Sequence, residues 1–215
     1  MLKEIEKRFI SSLVLIPVSI FFIIQGSVYF VFFLSLIFIA TLYEWFKMNK
    51  KNKLNKIFGI FFLFFSFYTA FYIREESLNF FLLIVIVCIF TDIGGYVFGK
   101  TFKGPKLTNI SPKKTYTGVF GSFLFSIISG LVTIKYLNNE IFTDKSHLLT
   151  LLFILFISLV SQIGDLIISY FKRKAKLKDT GKIIPGHGGF LDRIDGLIFV
   201  FPINFIIFST LGLIL

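Results

Sequence analysis

Cysteine occurs once in this 215-residue chain, at Cys88, and histidine twice, at His147 and His187. A single cysteine excludes an internal disulfide and any multi-cysteine zinc site. With only two histidines beside it, the chain lacks the nitrogen and sulfur donors that zinc prefers. Acidic residues number 12, and all charged residues together make up 16%, against about 25% in soluble domains. That shortage excludes an ordinary soluble globular protein. Apolar residues are abundant instead: 55% of the chain is hydrophobic, with 32 phenylalanines read as lipid-facing bulk, and the mean hydropathy is +0.84.

The apolar residues fall into seven runs, roughly 9–24, 28–45, 57–73, 78–98, 118–137, 148–171 and 194–215. Each reaches or approaches the length of about 20 residues that spans a bilayer as a helix. The expected fold is therefore all-α: a polytopic membrane bundle of about seven transmembrane helices in one domain, 1–215. Lys3, Lys7 and Arg8 precede the first run as they would a signal peptide. No small-residue cleavage site follows it, so a retained helix is expected. Pro17 and Pro202 fall inside spans, where neighbouring helices can satisfy the freed carbonyls.

Charge sets an orientation. With the N-terminus in the cytoplasm, 20 of the 23 basic residues lie on that side; only Arg74, Lys135 and Lys145 lie opposite. The positive-inside rule thus favours a multi-pass protein of the inner (cytoplasmic) membrane with a cytoplasmic N-terminus. It also explains the net charge of +11 without nucleic acid, and no nucleic-acid partner is expected. The helices of 1–89 precede a region, 90–200, that holds two longer polar loops, 99–117 and 172–193. Both mix glycine, proline and hydroxyls with lysine, as loops that carry function on a helical frame do.

Two carboxylates lie at membrane depth, Asp92 and Asp165, where an ionised side chain costs at least about 2.5 kcal/mol. Each is expected to face a cavity, a cation or a loop lysine. Ser161, Asp165, Ser169, Lys172 and Arg173 follow at helical spacing and suggest one wall of a polar cleft. Beyond them, the stretch 169–195 packs seven basic residues, Asp179, Asp192, Asp195 and a Pro185-Gly186-His187-Gly188-Gly189 turn between two apolar runs. Glycines there let the backbone approach an anion. Helix capping is the plain alternative for Asp192 and Asp195. Arg193 can meet a phosphate bidentately. Asp165 and Asp192 can converge on a hard cation, and Mg²⁺ suits a site with few carboxylates and substrate phosphates. Ser111, Lys113, Lys114 and Thr115 offer hydroxyls and cations for a triphosphate, in an order that is not a P-loop.

The run Ser169-x-Phe171-Lys172-Arg173-x4-Lys178-Asp179-x-Gly181-x2-Ile184-Pro185-x-His187-Gly188-Gly189-Phe190-x-Asp192-Arg193-Ile194-Asp195 resembles the signature of the phosphatidate cytidylyltransferases, or CDP-diglyceride synthases. The region from Asp92 to Gly118 resembles that family's upstream motif, with Thr117 where a glutamate is expected. The resemblance covers roughly 90–200. It implies transfer of CMP from CTP to phosphatidate, giving CDP-diacylglycerol and pyrophosphate at a lipid bilayer. It implies Mg²⁺ on Asp165 and Asp192, with a second cation such as K⁺ left open, as is a homodimer. Lys172, Arg173 and Arg193 then hold phosphates. Asp179 and Asp195 orient those cations or join the metal shell. His187, with Gly188 and Gly189, shapes the pyrophosphate or cytidine side, and Lys178 adds positive charge. Ser111, Lys113, Lys114 and Thr115 form the opposing wall, with Asp92 and Ser169 at the substrate. The rival readings are a CTP-dependent kinase of a lipid alcohol such as a polyprenol, and a membrane transporter.

Overall fold

The computed structural model of the chain describes residues 2–50, 52–137 and 146–210. Among them the architecture is all-helical: α1 (Leu2–Gln25), α2 (Ser27–Met48), α3 (Lys53–Glu76), α4 (Leu78–Phe102), α5 (Tyr116–Tyr136), α6 (His147–Lys174), the short α7 (Leu191–Ile194) and α8 (Leu197–Thr210). The first six are long and apolar enough to cross a membrane, and α8 is a shorter apolar helix. The chain is a multi-pass membrane bundle.

Capping side chains set several of the helix starts. Asn52, Ser77, Thr115 and Ser146 each accept a hydrogen bond from the amide three residues on, satisfying a donor that the first turn leaves free. Helix α4 runs past its expected end at 98 and stops at Phe102, where Lys103 takes a left-handed conformation (φ 53°). The expected last span, 194–215, is broken. A turn at Asp195 and Gly196 separates α7 from α8, and residues 211–215 lie outside the described part. A side chain at Gly196 would overlap Ser161 Oγ of α6, so the break is where the chain presses against that helix.

Helix α4 is the hub of the core. Leu83, Ile84 and Val87 are buried with Ile154 and Ile157 of α6 and Val200 and Phe201 of α8. A second cluster, with Trp45, Met48, Leu63, Ile168, Leu191 and Ile198, seats α7 against α2, α3 and α6. Helices α4 and α5 pack most closely of all. Gly94 and Gly121 face each other there, and a Cβ on either would overlap the other's carbonyl or Phe98. Small residues of this kind let membrane helices approach backbone to backbone. That close approach sets the two walls from which one polar loop hangs. Helix α1 is peripheral, with none of its apolar span buried.

Candidate active site at the basic end of the bundle

The start of α1, the α2–α3 turn, the α4–α5 loop and the loop after α6 meet at one end of the bundle. The α4–α5 loop is pinched into a hairpin: Leu107 N donates to Lys114 O at 2.8 Å, and Tyr116 N to Pro105 O at 3.2 Å. The pinch turns the segment 111–115 back over the helices. Beneath it lies a cavity of about 290 Å³. Ser111, Lys113, Lys114 and Thr115 line one side, and Asp92 of α4 and Asp165 of α6 line the other, with Tyr96, Ser122 and Gln162 between them. The hydroxyl and lysine wall expected from the sequence thus faces both membrane-depth carboxylates.

The charged side chains beside this cavity form a chain. Lys114 Nζ meets Asp165 Oδ2 at 2.6 Å, so the loop-lysine partner expected for Asp165 is present. Asp165 Oδ1 accepts from Ser169 Oγ at 3.2 Å. Asp165 also meets the buried Asp195 carboxyl to carboxyl, and Asp92 adds a third negative charge that acts on both. Lys172, itself buried, stands 4.0 Å from Asp195 and donates to Asp192 Oδ1 at 2.9 Å. From one end to the other the order is Lys114, Asp165, Asp195, Lys172, Asp192. Signs alternate except between Asp165 and Asp195, two acidic side chains lying side by side.

Residues 54–211 match the model of the cytidylyltransferase family. The chain belongs to that family. It is 34% identical to a phosphatidate cytidylyltransferase of Rickettsia felis over 212 residues, 95% of this chain and 92% of that protein. It is 33% identical to the phosphatidate cytidylyltransferase of Rickettsia conorii over 94% of this chain and 90% of the relative. A Staphylococcus epidermidis protein of the same name is 41% identical over 142 residues, 64% of this chain and 52% of that protein.

In this cytidylyltransferase-family chain the loop after α6 is held from within. Pro185 and Gly186 (φ 76°) form a turn closed by His187 N donating to Ile184 O at 3.0 Å, as type II geometry requires of glycine. Arg193 donates through Nε and Nη2 to His187 O at 3.1 and 2.6 Å. His187 does not line the cavity. Its Nδ1 lies 2.8 Å from Ser11 Oγ and its Nε2 3.5 Å from Ser12 Oγ, while Arg8 Nε donates to Gly186 O at 2.8 Å. Burial first, then the charges of Arg193 and Arg8, hold the imidazole below its usual range. The sequence offered no sign that α1 reaches this turn. Arg173 leaves the α6 stripe: it is exposed and donates to Ile110 O at 3.3 Å and Leu177 O at 2.9 Å, tying the two polar loops together. Lys178 and Asp179 are exposed, with Asp179 beside Gly188. Thr117, at the position of the expected glutamate, meets Thr115 Oγ1 at 3.0 Å through its own hydroxyl.

Asp195 lies beside Asp165, and Asp192 is joined to that pair through Lys172. Asp192 Oδ2 accepts from Thr180 N at 2.8 Å, Thr180 Oγ1 at 3.0 Å and Gly189 N at 3.1 Å. Burial alone would raise its carboxyl. The hydrogen bond and charge of Lys172, with the Thr180 and Gly189 amides, outweigh burial and hold it below the usual carboxylate range. A depressed folded value means that the unfolded chain binds the proton more tightly. The stabilisation is therefore complete above the ordinary aspartate value of about 3.9 and is lost as pH falls through the folded value. The gap in unfolding midpoint between wild type and Asp192→Asn should be widest near neutral pH and narrow below about pH 4. A gap unchanged from neutral to acid pH would contradict it.

One residue of the site escaped the sequence reading altogether. Glu44 of α2 is fully buried. Its Oε1 accepts from Phe190 N at 3.1 Å, and its Oε2 from Leu191 N and Thr180 Oγ1, both at 2.9 Å. The signal was present: a carboxylate at the end of an apolar run, the same cost that singled out Asp92 and Asp165.

Proposed function

We propose that this protein transfers the cytidylyl group of CTP to phosphatidate, giving CDP-diacylglycerol and pyrophosphate, at the cytoplasmic face of the inner membrane. The observation that carries the reading is the cavity in which Lys113, Lys114 and Ser111 face Asp92 and Asp165 at the basic end of an apolar bundle. Nucleotide arrives there from water, while diacyl tails stay in lipid. The names of the relatives agree with it.

The chemistry asks little of a general base. A lipid phosphate monoester has a second pKa of about 6 and is already an anionic nucleophile at neutral pH. Its oxygen bonds to the α-phosphorus of CTP as the bond to pyrophosphate breaks, and pyrophosphate leaves with the electron pair. The barrier is repulsion between two anions together with charge gathering on the leaving group. In this reading Lys113 and Lys114, with the hydroxyls of Ser111 and Thr115, bind phosphate oxygens across the cavity that they line. Lys172 holds Asp192 and Asp195 in place beneath them, and Ser169 orients Asp165.

Among the described residues no three His, Cys, Asp or Glu side chains enclose a metal by themselves. The donors beside the cavity are carboxylates, which suits Mg²⁺, a cation that completes its shell with water and substrate phosphate. The contact between Asp165 and Asp195 is the break in an otherwise alternating row of charges, and a cation there restores the alternation. In this reading Asp165 holds Mg²⁺ with Asp195 and Asp192 in the same cluster, and K⁺ is the candidate second ion. Bound Mg²⁺ would neutralise phosphate charge and stabilise the departing pyrophosphate.

The deciding experiment supplies purified protein with phosphatidate and CTP labelled in the base. Label is expected in the lipid fraction, with pyrophosphate released in equal amount. An unlabelled lipid fraction with CDP in solution and a phosphorylated lipid alcohol would make the protein a kinase instead.

A further inference from the structure

We propose that Glu44 is the positioning residue of the site: a buried anion on α2 that clamps the loop 180–191 and thereby sets Asp192 and Lys172. The inference rests on the proposed cytidylyl transfer for its kinetic meaning. Its geometric basis is independent of that reaction.

A carboxylate at this depth needs compensation. Among the described residues Glu44 has no ion-pair partner. Its compensation comes entirely from the loop, through two backbone amides and one hydroxyl. Bonds from neutral donors to an ionised carboxylate are stronger than neutral ones and fix direction. The loop is shaped around it in turn. A Cβ on Gly181 would overlap Glu44 Oε1, and one on Gly189 would overlap both carboxylate oxygens and Thr180 Oγ1. These two glycines are thus accounted for by the clamp, without a ligand.

The clamp passes directly to the charged row. Thr180 Oγ1 lies 2.9 Å from Glu44 Oε2 and 3.0 Å from Asp192 Oδ2, so its single proton is shared between the two carboxylates as a three-centre bond. Gly189, wedged against Glu44, gives its amide to Asp192, and Asp192 holds Lys172. The hydrogen bonds of Glu44 among the described residues go to the loop and to none of the residues lining the cavity, so it acts through this relay. It also lies outside residues 54–211, so the clamp comes from a helix that the family match does not reach.

The test compares Glu44→Gln, Thr180→Val and Thr180→Ser in purified full-length protein. It measures kcat, the KM for CTP, the unfolding midpoint, and amide exchange in the segment 178–193. Thr180→Val keeps the buried charge bonded to two amides and removes the hydroxyl arm of the relay while leaving the Gly189 arm, so it tests the idea even if Glu44→Gln folds poorly. Thr180→Val is expected to lower kcat about 30-fold, the scale of one lost hydrogen bond to a charged group. KM for CTP should shift less than about threefold, because the cavity wall at 111–115 is untouched. Exchange at 178–193 should quicken by more than the fall in the unfolding midpoint accounts for, and Thr180→Ser should restore both kcat and protection. Wild-type kcat and exchange in Thr180→Val and Glu44→Gln would overturn the proposal. So would losses that follow the unfolding midpoint and that Thr180→Ser does not repair. If wild-type protein makes no cytidylylated lipid, the proposed reaction fails, and the exchange comparison alone decides the clamp.

Discussion

Asp165→Asn is expected to lower turnover by about 10³-fold, the scale seen when one preorganised electrostatic contact to the reacting charge is removed. Asparagine keeps the size of the side chain and its bond to Ser169. What disappears is a negative charge between Lys114 and the cavity floor. Three consequences meet there. The carboxylate cluster loses the member that lines the cavity, Lys114 loses the partner that aims its ammonium, and the contact with Asp195 is no longer between two potential anions. Helix packing should be unaffected, because Asp165 is only partly buried and its neighbours along α6 remain. Turnover and unfolding of the same purified protein provide the check. Near-normal turnover would remove Asp165 from the mechanism, and a collapsed unfolding midpoint would make its role structural.

Lys172→Met should cost more stability than any other single change at the site, about 3–5 kcal/mol, because it leaves buried carboxylates without their cation. Methionine fills much the same volume, so packing is not the cause. Lys172 is buried, with Asp192 at 2.9 Å and Asp195 at 4.0 Å. Without it, Asp195 keeps the Gly196 amide on Oδ1 but is left beside the acidic side chains of Asp165 and Asp92 with no cation. Denaturation in detergent measures the loss. The double variant Lys172→Met with Asp192→Asn should recover part of it, since one stranded charge is then gone. A single variant as stable as wild type would mean that the pair is not buried as described.

What the sequence made visible and what it hid have separate physical causes. Apolar runs announced the helices because a bilayer imposes length and composition on anything that crosses it. Asp92 and Asp165 stood out because charge is rare at that depth, and the lysines near 113 because hydroxyls and glycine accompanied them. Pairings across the fold were another matter. That Asp195 would lie beside Asp165 depended on the turn at Asp195 and Gly196, set by the close approach of Gly196 to Ser161, a contact between helices that the sequence does not display. Glu44 obeyed the same rule as the other membrane-depth carboxylates, yet with Lys47 and Lys50 just beyond it it read as an ordinary helix end. The glycines around His187, Gly189 among them, suggested an approaching anion, and Gly181 stood out only as a position of the family signature. The anion that Gly181 and Gly189 accommodate in the fold is that glutamate, 137 and 145 positions earlier in the chain.

The clamp also bears on how the molecule is made. Translation delivers the N-terminal helices first. Glu44 is separated from the amides it binds by 146 and 147 positions, and Arg8 from its carbonyl on Gly186 by 178. A ribosome that has threaded α1 to α5 into the membrane has therefore built a receptor with nothing yet to receive. The segment 180–191 closes onto it only after α6 has followed. Chains that stop before α6 hold the cavity wall at 111–115 but lack the clamped loop, so activity should require the segment 180–191.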